Sequence, residues 1–218
     1  MVNQKNSLYL CCCKDIDYMA KSKGTKNLDT STEEKIIQAA SKVFTQKGYV
    51  ATRTRDIAEE AGINLALLNY YFRSKEKLFQ LIMAEKLQLL FSVILPIVNN
   101  DDLTLDEKIE TLVESYINLL VDNPDLPLFV LGEIKANPEG FKDRLQVRKL
   151  LQNSSFVRQL RERKPDVEPV HFIVSLLGMT VFPFIAKQVL FADDNTFKMQ
   201  MEDRKVLIAK WAKIMLET

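Results

Sequence analysis

Between residues 52 and 79 the chain reads TRTRDIAEEAGINLALLNYYFRSKEKLF, and its side chains suit hydrogen bonding to anions and amides rather than bond making. Thr54 and Arg55 stand at a helix start, where free backbone N–H groups and the positive end of the helix dipole attract phosphate oxygens. Asn64, Leu65 and Ala66 open a further short helix, with Asn69 one turn along the same side. A helix start laid in a major groove meets base edges there, and an asparagine amide can pair with adenine. Tyr70 and Tyr71 add hydroxyls, and Lys75 places an ammonium at the next helix N-terminus. Phosphate contacts of this kind position a protein on a duplex, while base contacts specify the sequence.

Catalysis has no comparable foothold. The chain has one histidine, His171, and no Ser/His/Asp set, glycine-rich phosphate loop or paired-carboxylate motif, so no catalytic residue and no cofactor is expected. His171, near a helix start, reads as an interface or core residue rather than a metal ligand. The three cysteines are consecutive, Cys11, Cys12 and Cys13, which fits neither a spaced zinc pattern nor a disulfide framework. No metal site is expected, and a reducing, cytoplasmic location is. With 30 basic and 29 acidic residues, overall charge does not announce a nucleic-acid partner. The signal is local: residues 41–55 carry Lys42, Lys47, Arg53 and Arg55 with no acid among them, and residues 61–75 also lack one.

The elements that must carry these groups follow from helix punctuation. Ser31 and Glu34 form a capping-box pattern before a stripe of Ile36, Ala40, Val43 and Phe44, and Gly48 ends that helix. Thr54 is expected to cap a short second helix, with Asp56 and Glu59 toward its positive end and Ile57, Ala58 and Ala61 facing inward. Gly62 supplies a tight turn with positive φ; Ala58 is small because the next helix crosses it, and Ile63 and Leu68 pin the two together. Asn64 caps the third helix to about Phe72, expected to be buried, and Ser74 caps a fourth that runs to Leu95, before Pro96. Two short helices joined at a glycine turn are a helix-turn-helix.

Beyond residue 100, Thr104 and Glu107 form a second capping box opening a helix to about Asp122, and breaks at Asn137-Pro138 and Lys164-Pro165 predict helices near 126–136, 139–163, 167–192 and 196–217. No sustained alternation of β-branched residues occurs, so the fold class is all-α. Residues 1–30 read as a flexible arm, with Met19 a candidate start. Residues 31–77 form the DNA-binding domain and 78–218 a larger helical domain. The longest apolar run, residues 172–186, is too short to span a bilayer and contains Pro183; no membrane partner is expected.

The helix-turn-helix with its preceding amphipathic helix and its tail, Tyr70, Tyr71, Phe72, Ser74, Lys75 and Glu76, closely resembles the N-terminal domain of the TetR family over about residues 32–80. The resemblance implies a transcriptional regulator, by default a repressor, that binds a palindromic double-stranded DNA operator as a homodimer and answers to a small-molecule effector. Many members carry a further tyrosine where this chain has Asn69, which exchanges a phosphate-contacting hydroxyl for an amide. The resemblance also implies dimerisation through the last two helices. It names no effector and no ligand-binding residue.

Phe129, Glu133, Phe156, Met179 and Phe182 are of the types that line a cavity, and core packing explains them equally well. Residues 142–164 hold eight basic and two acidic residues, against six acidic and one basic in 101–114. Solvated helix faces account for both; attraction of an anionic effector by Arg158, Arg161 and Arg163 is the sharper alternative.

Overall fold

The computed structural model describes residues 27–145 and 153–217. Of the arm expected over residues 1–30, residues 1–26 with the three cysteines and Met19 lie outside the described residues, and residues 27–30 are helical instead. The described residues contain eleven helices: α1 Asn27–Ala51, α2 Thr54–Glu60, α3 Leu65–Tyr71, α4 Lys75–Val98, α5 Leu105–Asp122, α6 Leu126–Ala136, α7 Pro138–Leu145, α8 Ser155–Arg163, α9 Pro169–Ile185, α10 Lys187–Leu190 and α11 Asp194–Glu217. No strand occurs among them, as an all-α reading requires.

Two compact units emerge. The described residues up to Gln80 cluster with the segment from Glu133 onward through α7; the other unit comprises residues 81–132 and 153–217. Glu133, whose place by sequence was in the second domain, thus groups with the first.

In the first unit Ile36, Ala40, Val43 and Phe44 are all buried, the stripe their spacing predicts. The helix start differs: α1 begins at Asn27, so Ser31 and Glu34 lie inside it and form no cap. Nothing between Asn27 and Ser31 breaks a helix, and the potential cap is simply overrun. Gly48 has φ +74, where the helical path ends. Phe44, Tyr49 and Phe79 stack about one another, with Phe44 and Phe79 edge-to-face at 5.1 Å.

The second unit surrounds one apolar cluster drawn from α5, α8, α9 and α11, with Ile109, Ile117, Leu120, Leu160, Met201, Ile208 and Ala212 fully buried. The capping box on α5 forms as its spacing predicts: Thr104 Oγ1 accepts from the Glu107 N–H, and the Glu107 carboxylate accepts from the Thr104 N–H at 2.8 Å. Hydrogen bonds from the Thr104 hydroxyl and backbone hold the Glu107 carboxyl below its usual range.

Further predicted boundaries move: the fourth helix, expected to end at Leu95, runs on through Pro96 to Val98. The helix expected over 139–163 is described as Pro138–Leu145 and Ser155–Arg163, residues 146–152 lying outside the described residues; the second span starts where Ser154 caps it, its hydroxyl accepting from the Val157 N–H at 3.2 Å. The helix expected over 167–192 is α9 and α10, with Pro169 at its first position and a break at Ala186. The last helix begins two residues early because Asp193 accepts from the backbone N–H groups of Asn195 and Thr196 at 2.8 and 2.9 Å.

By length and composition α4 could cross a bilayer, a property that a search for uninterrupted apolar runs misses. The fold takes up part of that apolar surface: Leu78, Phe79, Ile82, Met83, Leu87 and Val98 are buried, and Leu90, Val93, Ile94 and Leu95 pack on the second unit's core.

Lys108 of α5 is buried. Its ammonium donates to Ser155 Oγ at 2.6 Å and Gln159 Oε1 at 2.8 Å, Ser155 Oγ donates to the Val98 carbonyl at 3.1 Å, and Gln159 Nε2 to the Leu103 carbonyl at 3.0 Å. One buried cation therefore ties α5 to α8 and, through them, to the end of α4 and the loop after it. Burial lowers its pKa, so the unfolded chain binds more protons as pH approaches 10.5, and this group favours folding more as pH rises there.

Arg158 pairs with Asp101 and Arg163 with Asp106, both at 2.6 Å. The basic and acidic stretches therefore meet each other, which removes the ground for reading these two arginines as an open anion site. Phe129 and Phe156 are buried and Met179 is partly so, whereas Phe182 is 59% exposed and points out of the core, contrary to a cavity-lining role.

Candidate nucleic-acid interface

The turn between α2 and α3 is closed by three backbone bonds. Ala61 N–H donates to Ile57 O at 2.9 Å, Gly62 N–H to Glu59 O at 3.1 Å, and Ile63 N–H to Ala58 O at 3.0 Å. The last two make a Schellman ending, which needs a left-handed residue at its centre. Gly62 has φ +66, as the sequence predicts, with open space where a Cβ would stand. Gly62→Ala therefore meets no clash and costs only the left-handed backbone, about 1–2 kcal/mol. A urea titration is expected to show a lowered midpoint with unchanged slope.

Beneath the turn Ile57, Ala58 and Leu68 are buried, while Ala61 and Ile63 are half-buried. Asn64 caps α3: its Oδ1 accepts from the Leu67 N–H at 2.8 Å. That engages the carbonyl end of its amide and leaves the NH2 end to donate. Thr54 is not the cap of α2. Arg53 holds that position with extended backbone, and its N–H donates to Asp56 Oδ2 at 2.9 Å. The Arg53 N–H, followed by Lys47 at 3.3 Å, holds the Asp56 carboxyl below its usual range. A carboxylate three residues into a helix can reach back to the cap N–H, which a threonine hydroxyl at the first helical position cannot.

The predicted contact residues divide by exposure. Arg55, Asn64, Ala66, Asn69 and Tyr70 are exposed, Tyr70 at 78%; Thr54, Leu65, Tyr71 and Lys75 are half-buried. The Tyr70 and Tyr71 rings meet edge-to-face at 5.5 Å. Phe72, expected to be buried, is only half-buried, because the chain turns to extended geometry at this C-cap.

Lys75 has a role that its sequence position does not reveal. Its ammonium donates to the carbonyls of Tyr49 and Thr52, each at 2.9 Å, and lies 4.3 Å above the Tyr49 ring. Two of its three N–H groups thus fasten the start of α4 to the corner between α1 and α2. Burial first, then the charges of Glu76 and Glu133, raise the pKa of the Tyr49 phenol, so it is neutral and presents an uncharged ring. Lys42 and Lys47 are engaged by Glu60 at 2.5 Å and Asp56 at 3.3 Å, acids that a count of residues 41–55 alone leaves out. Arg53 and Arg73, singled out by no motif, are exposed cations at the two ends of the helix-turn-helix.

Residues 36–82 match the family described as "Bacterial regulatory proteins, tetR family". The chain is 25% identical over 196 residues to Probable HTH-type transcriptional regulator YttP of Bacillus subtilis (strain 168), covering 83% of this chain and 94% of that protein. It is 42% identical over 60 residues to HTH-type transcriptional regulator RutR of Escherichia coli (strain K12), covering 27% and 28% of the two chains. Among solved structures, the ketosteroid transcriptional regulator KstR2 of Mycobacterium tuberculosis superposes with a TM-score of 0.64 at 20% identity, over 86% of this chain and 96% of that one. The TetR-family regulator PfmR of Thermus thermophilus gives 0.60 at 22% identity, over 80% and 97%. At these identities the superpositions speak for the fold.

Proposed function

As the chain belongs to the TetR family of bacterial transcriptional regulators, we propose that it is a cytoplasmic repressor whose α2–α3 pair reads a palindromic operator and whose second unit releases the DNA on binding a small molecule. The observation that carries this reading is the division of the helix-turn-helix into a buried face, Ile57, Ala58 and Leu68, and an exposed one, Arg55, Asn64, Ala66, Asn69 and Tyr70. Arg55 and the first N–H groups of α2 would meet phosphates, with Thr54 and Tyr71 beside them. Arg53 joins that set. Leu65, Ala66, the Asn64 NH2 and Asn69 would face base edges.

The operator's symmetry calls for a two-fold dimer. Its surface in this reading is the outer side of α9 and α11, where Val170, Val174, Leu177, Phe182 and Ile185 on one helix and Met199, Val206, Leu207, Trp211 and Ile214 on the other are exposed. A face this apolar on two adjacent helices is what a helical dimer buries. His171 lies on the same side.

Small-molecule control is typical of the family. Because linkage is reciprocal, an effector that loosens the operator must itself bind less well to the DNA-bound dimer. The matched relatives are transcriptional regulators by name, and no catalytic role is proposed.

The test is selection of genomic fragments by the purified protein at fixed salt, beside an Arg55→Ala, Tyr70→Ala variant. One palindromic site recovered by the wild type alone is the expected result; equal recovery by both proteins, or none by either, would overturn the reading.

A further inference from the structure

Proline inside a helix leaves one carbonyl without its partner, that of the residue four positions earlier. In α9 the proline is Pro183 and the bereft carbonyl belongs to Met179. That carbonyl accepts a hydrogen bond from Arg204 Nη2 of α11, at 2.8 Å. The guanidinium is half-buried, and burial lowers its pKa, as for a cation that has surrendered hydrating water. A neighbouring helix thus supplies the donor that α9 lost.

The location gives the bond its meaning. Phe182 and Ile185 flank Pro183, and both are exposed; Val206 and Leu207 follow Arg204 closely, and both are exposed. Pro183 itself, together with Phe184, is buried. Inner contacts hold the two helices at Phe184 and Phe197, whose rings meet edge-to-face at 5.1 Å. Interdigitated apolar side chains hold the two helices in register, and the Lys187–Asp194 ion pair at 2.9 Å adds a polar contact just beyond the end of α9. The directed bond from guanidinium to carbonyl adds to that register at the level of Pro183, beside the exposed faces, because it fails once the atoms part beyond hydrogen-bonding reach.

We infer that Arg204 is the positioning residue that sets the outer faces of α9 and α11 in one register for self-association, by donating the N–H that Pro183 lacks. This rests on the dimer surface proposed above. It predicts that Arg204 is needed only while residue 183 has no N–H. An alanine there restores the helical bond to the Met179 carbonyl and makes the arginine dispensable.

The experiment compares wild type, Arg204→Met, Pro183→Ala and the double variant by sedimentation equilibrium, at a temperature where circular dichroism shows equal helix content. Arg204→Met keeps an unbranched apolar stem and removes the donors; Arg204→Lys, which keeps an ammonium donor on a shorter reach, is a second probe should Arg204→Met not fold. Arg204→Met is expected to weaken dimerisation about tenfold. The double variant is expected to lie within about twofold of Pro183→Ala alone, the margin of ordinary additivity. Equal dimerisation of Arg204→Met and wild type, or a double variant as weak as Arg204→Met, overturns the inference. A wild type that stays monomeric overturns the dimer surface itself and this role with it. The unfolding temperatures of the same four proteins then report separately whether positions 183 and 204 are coupled.

Discussion

Placing lysines at positions 174 and 206 is expected to convert the protein to a folded monomer and to lower its operator affinity more than about a hundredfold. Val174 is 61% exposed and Val206 71%, so neither substitution disturbs the core, and a thermal scan should show the fold retained. What is lost is the linkage between two reading heads. Once one half-site is bound, the second head acts at a high effective concentration, an advantage of about 10²–10⁴ that a monomer forgoes. Sedimentation of Val174→Lys, Val206→Lys beside an operator titration checks both halves. A variant that remains dimeric would place the dimer elsewhere on the molecule.

Lys75→Met is the second large effect. The substitution leaves the Tyr49 and Thr52 carbonyls without their common donor and strips the cation from the Tyr49 ring. These bonds are part-buried, so leaving their acceptors unpaired costs up to about 1–3 kcal/mol, and a lower unfolding temperature is expected. Operator affinity should fall about tenfold or more as the corner between α1 and α2 loosens. The discriminating quantity is the dependence of affinity on salt. Removing a phosphate contact lowers the slope of log K against log salt by about one. A residue that acts by holding the backbone changes the affinity and leaves that slope alone, which is the outcome expected here.

How far the chain could be read in advance depended on the range of the interactions involved. The Gly62 turn and the Thr104–Glu107 box lie within a few residues, and their geometry follows from local chemistry alone. The stripe of α1 was legible for the same reason, since four apolar residues at helical spacing define a face wherever the helix begins. Its start was not legible, because the Ser31 pattern competes with continued helix and a cap is a choice between two local states. The break at Ala186 was hidden by apolar residues on either side, whose composition suits one helix or two.

In the reading head the exposed set, Arg55, Asn64, Ala66, Asn69 and Tyr70, follows from helix phase. The partners of Lys75 do not, because Tyr49 and Thr52 stand 26 and 23 residues away. Arg158 and Asp101, 57 apart, defeat charge counting in the same way: each stretch looks unbalanced until the fold sets one against the other. Arg53 was counted among the local cations but not as the cap of α2, because a capping arginine uses its backbone, and side-chain preference says little about that.

The sequence contains one tryptophan, Trp211, and it lies 42% exposed on the outer side of α11. All indole emission from the protein therefore originates on the surface proposed above to meet a partner subunit. In a monomer the ring borders water and emits at long wavelength; covered by a second copy, it emits further toward the blue. Dilution through the dissociation range should shift the emission maximum without any label, so the chain carries an optical gauge of its own assembly, readable in the same cuvette as an operator or effector titration.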